Sequence, residues 1–365
     1  IGGFTFVAFK TYKMNDMKGK QGLVCMGLLL VLSSCHTGKQ ITASGLQRKD
    51  FQTEVNGQHT DLFTLSNKQG MEVCITNYGA RVVSILVPDR NGKREDVVCG
   101  FSTITEYMEQ RQNFGSTVGR YIGRILNARF TLDGVEYKLV PNNGKSGHIS
   151  HGGNPGFADR IWKVEQADTH RVRLSYLSPD GENGFPGNLK VTLVYSLGED
   201  DNALDLTYEA TTDAPTVLNL SHHSFFNISG NFTKSVEDQQ LWVDADRFTP
   251  YDDKKCVTGE YLPVAGTPLD FRMPHAIGEC IDADHPQLKV VNGYDHTWEL
   301  NTKGDDTRPA AWVYDPASGR KMEIFTTEPG MQIYTGNGLK GKMTGKGGIA
   351  YPFRSAVCFE TMHFQ

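Results

Sequence analysis

Short runs of alternating apolar and polar residues recur from residue 50 onward, and this period of two is the feature that most constrains the fold. The runs are rich in β-branched and aromatic residues and are bounded by Gly, Asn, Asp and Pro, which is typical of short strands. They are MEVCITNYG, RVVSILVP, RFTLDGVEYKLV, HRVRLSYLSPDG, NLKVTLVYSL, ALDLTYEATT, AAWVYDPASGRKMEIFTTE and MQIYTG. The pattern predicts an all-β chain that forms a large antiparallel β-sandwich.

Turn and helix signals agree with this prediction. Asp133-Gly134 separates two of the runs and suits the type I′ turn of a tight hairpin. The segment DPASGR (315–320) predicts a longer hairpin loop. The one helix candidate is the short stretch 102–112. Longer segments do not show a convincing apolar period of 3.6 residues.

The N-terminal part of the chain has the pattern of a bacterial lipoprotein signal. Lys18 and Lys20 precede the apolar run LVCMGLLLVL, which is too short to span a bilayer comfortably, and the segment LSSC ends at Cys35. This pattern predicts a lipid anchor at Cys35 and a location in the periplasm or cell envelope, on a bacterial membrane. A plain signal peptide with a chance cysteine is the alternative.

The domain organisation follows from these features. Residues 14–35 are interpreted as the signal peptide, and residues 1–13 as non-native upstream translation. Residues 36–49 are interpreted as a flexible tether. Neither a linker nor an internal repeat is visible afterwards, so residues 50–365 are predicted to form one domain, truncated at its C-terminus.

Charge and cysteine content exclude some classes of protein. The net charge of −5 gives no electrostatic reason to expect a nucleic-acid partner. Seven cysteines are present, and five remain after the signal and the anchor are set aside. An odd, widely spaced set without a CxxC motif indicates neither a disulfide framework nor a zinc ribbon. Pairing of Cys256 with Cys280 is left open.

A few polar residues stand in contexts that suit a functional site. Glu360 is the sharpest case, since a carboxylate inside the apolar run AVCFET is costly unless it is paired or functional. Arg124 follows a glycine-rich turn, His151 precedes Gly-Gly, and Asp295 follows Gly-Tyr. Each of these three also has a structural interpretation, as a surface arginine, a loop histidine and a turn aspartate.

Two adjacent histidines, His222 and His223, lie in the strand-like segment LNLSHHSFFN. Neighbouring residues of a strand point to opposite faces, so the two rings cannot do the same work. His222 shares its face with leucines and is expected to be packed. His223 shares its face with Asn219 and Ser221, which suits a cleft.

A metal site is the competing interpretation of these histidines, and none is predicted. His222 and His223 cannot chelate one ion from a regular strand. His148 and His151 are three residues apart in a segment that reads as a loop, and the chain has no HExxH motif.

Taken together, these residues resemble the aldose 1-epimerase (galactose mutarotase) family. The resemblance covers roughly residues 50–365, with matching order and spacing. It is carried by NYGARVVSILVPDRNGK, TVGRYIGRILNARFTLDG, HGGNPGFADRIW, SPDGENGFPGNL, NLSHHSFFN, GTPLDFR, GYDHTW and TTEPGMQIYTGN. The resemblance implies a large antiparallel β-sandwich, in line with the period of two.

The resemblance also implies roles for single residues. The catalytic histidine of the family matches His223, and its catalytic glutamate matches Glu360. Sugar-binding roles fall on the set Arg124, His151, Asp295 and Gln332. The implied reaction exchanges the α and β anomers of galactose or glucose by ring opening, with the glutamate as base and the histidine as acid. This chemistry needs no cofactor and no metal.

Three departures from the family pattern stand out. Gly123 replaces the usual asparagine before Arg124, which removes a hydrogen bond to sugar and leaves substrate choice open. Met362 stands where glutamine is common. The chain ends at HFQ, where family members continue through further strands, and missing strands could expose a sheet edge.

Other functions remain open on the sequence alone. A glycoside hydrolase would use two carboxylates, for which Asp295 and Glu360 are the best pair. A hexose-phosphate epimerase would need a basic cluster, and Arg120, Arg124 and Arg129 are the candidates. A non-catalytic sugar-binding lipoprotein is the third alternative. A monomer is expected by default.

Overall fold

The structure, a computed structural model, describes residues 4–8, 12–14 and 40–365. Most of the predicted signal peptide, the predicted lipidation site Cys35 and the first part of the predicted tether lie outside the described residues. The prediction of an upstream segment and the prediction of a single domain stay predictions.

Strands dominate the described residues. Twenty-eight strands are present, and they are β1 Phe4–Ala8, β2 Tyr12–Met14, β3 Glu54–Val55, β4 Gln58–His59, β5 Leu62–Ser66, β6 Glu72–Thr76, β7 Arg81–Pro88, β8 Arg94–Asp96, β9 Ser116–Val118, β10 Arg124–Ile125, β11 Arg129–Leu132, β12 Val135–Lys138, β13 Ile149–Ser150, β14 Lys163–Ala167, β15 Arg171–Ser178, β16 Leu189–Leu197, β17 Ala203–Thr212, β18 Ser221–His223, β19 Phe225–Phe226, β20 Gln240–Val243, β21 Ala245–Thr249, β22 Leu262–Pro263, β23 His275–Ala276, β24 Asp295–Leu300, β25 Ala311–Tyr314, β26 Arg320–Ile324, β27 Gly330–Tyr334 and β28 Val357–Met362. The prediction of an all-β chain is confirmed.

Two short α-helices accompany the strands. Helix α1, Ile104–Gln110, confirms the helix predicted at 102–112, and a capping box between Thr103 and Glu106 begins it. Helix α2, Pro286–Val291, was missed, because six residues are too few to show an apolar period. The described residues also contain seven 3₁₀ turns, at Arg48–Phe51, Leu126–Ala128, Gly144–Ser146, Phe157–Asp159, Glu182–Gly184, Ile277–Glu279 and Lys346–Gly348. Neither of the two α-helices in the described part of the chain has the length and apolar character needed to cross a membrane.

Both predicted hairpins are confirmed. Strands β11 and β12 pair across Asp133 and Gly134, whose φ angles of +50° and +79° are those of a type I′ turn. Strands β25 and β26 pair on either side of the loop at 315–319. In both cases the turn residues fix which strand residues face each other.

Three sheets carry most of the strands. The large sheet has the order β14-β15-β16-β17-β1-β26-β25-β20-β23, with β2 beside β17. The site sheet has the order β19-β28-β27-β24-β21-β22, and a four-stranded sheet has the order β5-β6-β7-β8. Every ladder between strands of residues 50–365 is antiparallel, as predicted. Strands β1 and β2 are exceptions, because they pair in parallel with β17 and β26.

One hydrophobic core joins these three sheets. Alternate residues of the large sheet, such as Val191 and Leu193, pack in the same cluster as Val82 of the four-stranded sheet and Trp298 and Ile333 of the site sheet. Full burial of each such side chain stabilises the fold by roughly 1.5–3 kcal/mol. The core therefore holds the site sheet in a fixed position relative to the other two sheets.

A fully buried arginine ties the four-stranded sheet to the loop that leads into β9. The guanidinium of Arg81 donates hydrogen bonds to the carbonyl oxygens of Gln112 (2.6 Å), Phe114 (3.0 Å) and Ala158 (2.8 Å). Burial lowers the pKa of Arg81. Since β9 pairs with β18, which contains the histidine pair, Arg81 helps to fix the backbone beside His223.

Candidate active site

The register of the site sheet brings polar residues from three strands onto one face. Thr297 of β24 pairs with Gln332 of β27, which in turn pairs with Glu360 of β28. Directly paired residues of antiparallel strands share a face, so these three side chains form one row. The neighbouring row on the same face consists of Asp295, Tyr334, Cys358 and Phe225. This surface, which we call the site face, is the floor of a cavity.

Glu360 and His223 meet on the site face. His223 Nε2 lies 3.4 Å from Glu360 Oε1, and the two side chains are only 7% and 4% exposed. The imidazole ring stacks on Phe225, with centroids 5.0 Å apart and an angle of 15° between the planes. Its Nδ1 has no hydrogen-bond partner among the described residues. His223 and Glu360 can therefore exchange a proton with each other, and each can exchange a proton with a molecule in the cavity.

Burial controls the protonation of this pair. It raises the pKa of Glu360 well above its ordinary value, and the charge of Asp295 raises it further. Burial lowers the pKa of His223 well below its ordinary value, and the neighbouring His151 adds to this effect. Burial therefore favours the neutral form of both groups, with one proton on the carboxyl of Glu360 and a neutral imidazole at His223.

His222 points away from the cavity, as predicted for a packed neighbour. Its Nε2 lies 2.8 Å from the hydroxyl oxygen of Ser224, and its Nδ1 lies 3.4 Å from that of Tyr195. Burial lowers the pKa of His222 to about 3, helped by the charge of Arg81. The two adjacent histidines thus occupy opposite faces of β18, and only His223 reaches the cavity.

Arg124 and His151 approach the cavity from a second pair of strands. Arg124 begins β10, which pairs with β13, and His151 follows β13 directly. The guanidinium donates to the carbonyl oxygen of Lys255 (2.9 Å) and lies 5.9 Å from the centre of the Tyr251 ring. The His151 ring meets the His223 ring edge-on at 5.6 Å. Burial, followed by the charge of Arg124, lowers the pKa of His151 to about 4, so that it is neutral at pH 7.

A hydrogen-bonded chain orients Asp295, and two of its members were not predicted from the sequence. Gln332 Nε2 donates to Asp295 Oδ1 (2.7 Å) and to the Tyr251 hydroxyl (3.0 Å). Thr297 donates its hydroxyl proton to Gln332 Oε1 (2.5 Å), which fixes the orientation of the amide. Burial raises the pKa of Asp295. The register of β24 and β27 brings Thr297 to Gln332, and Tyr251 reaches Gln332 from the segment that follows β21. Both lie far from Gln332 in sequence.

All six predicted site residues line one cavity of about 440 Å³. They are His223, Glu360, Arg124, His151, Asp295 and Gln332. The volume falls within the range of roughly 300–1,000 Å³ that is usual for small-molecule sites. Lys255 and Lys340 also line the cavity and were not predicted. The structure thus brings the predicted residues together, while their individual roles stay predictions.

Gly123 leaves room for a side chain from elsewhere. It adopts a φ of +80°, and a Cβ atom there would lie 2.0 Å from Cδ of Gln365. The Gln365 carboxamide lines the cavity, and its oxygen accepts a hydrogen bond from the backbone N–H of Arg124 (3.1 Å). An amide group therefore stands beside Arg124 although position 123 has no side chain. Met362, the second departure from the family pattern, is buried beneath Val118 and Ile122.

Other candidates from the sequence lie away from the cavity. Arg120 is buried and donates to the carbonyl oxygens of Pro186 and Gly187, while Arg129 pairs with Glu136 at the surface. The expected arginine cluster is therefore not formed by these side chains. Cys256 and Cys280 are free thiols, so the disulfide left open by the sequence is not formed.

The fold and the cavity define a class of protein, an all-β chain with a buried histidine–carboxylate pair at the floor of a polar pocket. The family model of aldose 1-epimerase matches residues 61–365, and the chain belongs to the aldose 1-epimerase family. It is 39% identical over 302 residues to the galactose mutarotase of Sus scrofa, with 83% of this chain and 85% of that protein covered. It is 36% identical over 286 residues to the aldose 1-epimerase of Escherichia coli strain K12, with 78% and 81% covered.

Solved structures agree with this assignment. An aldose epimerase homologue from C. elegans has a TM-score of 0.75 and 29% identity, with 83% of this chain and 89% of that chain covered. The galactose 1-epimerase of Lactobacillus acidophilus NCFM has a TM-score of 0.73 and 29% identity, with 85% and 88% covered.

The buried neutral state of His222 predicts a specific loss of stability in acid. The unfolded chain binds a proton at this histidine below about pH 6.5, whereas the folded chain does not until about pH 3. Unfolding at pH 5 therefore takes up a proton at His222. The contribution of the neutral His222 to the free energy of unfolding is fully present above pH 6.5 and is lost as the pH falls toward 3. We expect His222→Asn to reduce the slope of the unfolding free energy by about 1.4 kcal/mol per pH unit between pH 6 and pH 4.

Urea unfolding of both proteins at a series of pH values measures this slope. The comparison isolates His222, since the other buried titratable groups are common to the two chains. Above pH 7 the two curves should run parallel, which serves as the internal control. Equal slopes at pH 5 would mean that His222 is protonated in the folded state and would contradict the prediction.

Proposed function

We propose that this chain is an aldose 1-epimerase that interconverts the α and β anomers of free aldohexoses such as galactose and glucose. The observation that carries the proposal is the buried pair of His223 and Glu360, 3.4 Å apart on the floor of a cavity of sugar-binding size. Membership of the aldose 1-epimerase family supports the same activity. The relatives named galactose mutarotase make galactose the first substrate to test.

The reaction needs one base and one acid on opposite sides of a single bond. Glu360 removes the proton from the C1 hydroxyl while His223 protonates the ring oxygen, and the bond between C1 and the ring oxygen breaks. The open aldehyde rotates about the C1–C2 bond. Ring closure reverses both proton transfers and returns each residue to its starting state, so the sugar gains and loses no atoms.

His223 and Glu360 share one proton, and with it the pair can open the ring of either anomer. Burial favours the neutral pair, with the proton on Glu360. Transfer of that proton across 3.4 Å to His223 produces the carboxylate and the imidazolium that ring opening uses. We therefore expect activity to fall at low pH, where both groups are protonated, and at high pH, where both have lost their protons.

The remaining four predicted residues hold the sugar. Arg124 is a donor to sugar oxygens and stabilises negative charge that develops on oxygen during ring opening. His151, neutral at pH 7, is a hydrogen-bonding partner without charge. Asp295, held by Gln332, accepts from sugar hydroxyls in a fixed direction.

The rival functions have less support. The group in contact with Glu360 is His223, whereas a retaining or inverting hydrolase uses a second carboxylate. Asp295, the candidate for that second carboxylate, lines the same cavity but is held by the amide of Gln332. A phosphate site would gain only Arg124 of the three predicted arginines, since Arg120 and Arg129 are engaged elsewhere. For the fold, the core shared by the large sheet and the site sheet supports the large antiparallel β-sandwich predicted from the sequence. We also propose that the chain is a monomer.

The acid–base pair predicts the effect of isosteric substitutions. We expect Glu360→Gln and His223→Gln each to lower the rate of anomer exchange by about 10²- to 10⁴-fold, because each removes one partner in proton transfer. The measurement is polarimetry, or NMR of the anomeric protons, on freshly dissolved α-D-galactose and α-D-glucose. His222→Asn is the matched control, since this neighbouring histidine faces away from the cavity.

Full activity at pH 7 in either variant, with folding intact, would refute the proton-transfer role that is assigned to the substituted residue. A folded parent protein that accelerates neither sugar would overturn the proposed activity itself.

The role of Thr297 in orienting the amide of Gln332 predicts a further result. Thr297→Val removes the donor to Gln332 Oε1, so the amide is free to turn and present its oxygen to Asp295. We expect KM for galactose to rise roughly threefold to tenfold, the effect of one lost hydrogen bond, with a smaller change in kcat. Thr297→Ser keeps the hydroxyl and should restore KM. If the serine and valine variants behave alike, the hydroxyl has no such role.

We also propose that the chain is anchored to a bacterial membrane through lipid on Cys35, as the signal pattern predicts. Expression of the whole chain in a bacterium should place it in the membrane fraction, with the added mass of a lipid on the N-terminal cysteine. Cys35→Ala should release it to the aqueous fraction, while Cys25→Ala, the matched control in the same leader, should leave it membrane-bound. An unmodified chain in the aqueous fraction would refute the anchor.

A further inference from the structure

A buried thiol adjoins the proposed acid–base pair. Cys358 lies two residues before Glu360 on β28, so that both side chains belong to the site face. It is a free, fully buried cysteine, and it pairs across the strands with Phe225, on which the His223 ring stacks. The proposed reaction makes no use of this thiol.

The three side chains together offer the donor atoms of a metal site. One ligand atom each from His223, Cys358 and Glu360 lies within 4.8 Å of the others. Imidazole nitrogen, thiolate sulfur and carboxylate oxygen are the ligands that Zn²⁺ takes in proteins, at bond lengths of about 2.0–2.3 Å. Such bonds hold tetrahedral ligands about 3.5 Å apart, so closure by about 1 Å through side-chain rotation completes the geometry.

The surroundings permit this closure and give an entry path. His223 and Glu360 line the cavity, which leaves a fourth position open to water from the solvent side. His223 Nε2 already faces Glu360 at 3.4 Å, so the ring presents this nitrogen to a shared ion without turning over. Asp295 lies in the same row of the site face as Cys358 and lines the cavity, and a nearby carboxylate attracts a divalent cation.

We propose that His223, Cys358 and Glu360 form a binding site for Zn²⁺, with water as the fourth ligand, and that the ion inhibits the enzyme. Inhibition rests on the proposed function, because the ion occupies the two groups that exchange protons with the sugar. On binding, the S–H bond of Cys358 and the carboxyl O–H bond of Glu360 break, sulfur–zinc and oxygen–zinc bonds form, and both protons pass to solvent, while the neutral His223 binds through a nitrogen lone pair. No electron is transferred and no other reactant is consumed.

The first test is spectroscopic and independent of catalysis. Stoichiometric Co²⁺, which takes the place of Zn²⁺, should give the near-ultraviolet charge-transfer absorption of a cobalt–thiolate bond in the soluble chain that begins after Cys35. Cys358→Ala should abolish this absorption. Cys99→Ala is the matched control, since Cys99 is also fully buried and belongs to the same hydrophobic cluster.

The second test measures inhibition. Zinc chloride should slow anomer exchange by the parent protein, and EDTA should restore the rate. Loss of one ligand should raise the zinc inhibition constant by at least about 10- to 100-fold in Cys358→Ala and leave it unchanged in Cys99→Ala. Cys358→Ser, which preserves volume, provides the same comparison if the alanine variant folds poorly.

The outcomes separate the two proposals. A cobalt–thiolate band that depends on Cys358, in a protein without anomer exchange, supports the metal site and refutes the proposed function. Anomer exchange that zinc inhibits equally in the parent and in both Cys358 variants refutes the site. Absence of both the band and the inhibition in the parent protein also refutes it.

Discussion

The register of β28 between β19 and β27 is the constraint on which the rest of the site depends. It sets Glu360 opposite Gln332 and Cys358 opposite Phe225, and so decides which side chains share the site face. A slip of one residue would turn Glu360 into the core and replace it with an apolar neighbour. The ladder hydrogen bonds and the core packing beneath them therefore define the chemistry of the cavity as much as they define the sheet.

Desolvation determines the protonation states of His223 and Glu360. A carboxyl group and an imidazole with little exposure to water are held mostly in their neutral forms, at a cost to stability that exposed groups would not incur. The core shared by three sheets offsets this cost. Burial moves the pKa values of these two groups in opposite directions, which favours the neutral pair with its proton on Glu360 over the pair of ions.

The sequence predicted what depends on local pattern. Alternation along a strand separated His223 from His222, and the apolar surroundings of Glu360 marked it as unusual. It could not predict Thr297 or Tyr251, which meet Gln332 only through strand pairing and through a contact between segments distant in sequence. Gly123 shows a related limit, since its position reads as the loss of an amide until the fold brings Gln365 beside it. Non-local contacts decide such features, and one chain read in isolation does not contain their register.

Arg81 has a wider influence than its three carbonyl partners suggest. Its charge has no carboxylate partner among those hydrogen bonds, and it acts electrostatically on both His222 and His223. A fixed positive charge inside the protein makes a second positive charge on either imidazole less favourable. The proton affinity of the pair is thus set partly by a long-range potential from a residue outside the cavity. A change in that potential would shift the pH dependence of activity without altering any group that contacts the sugar.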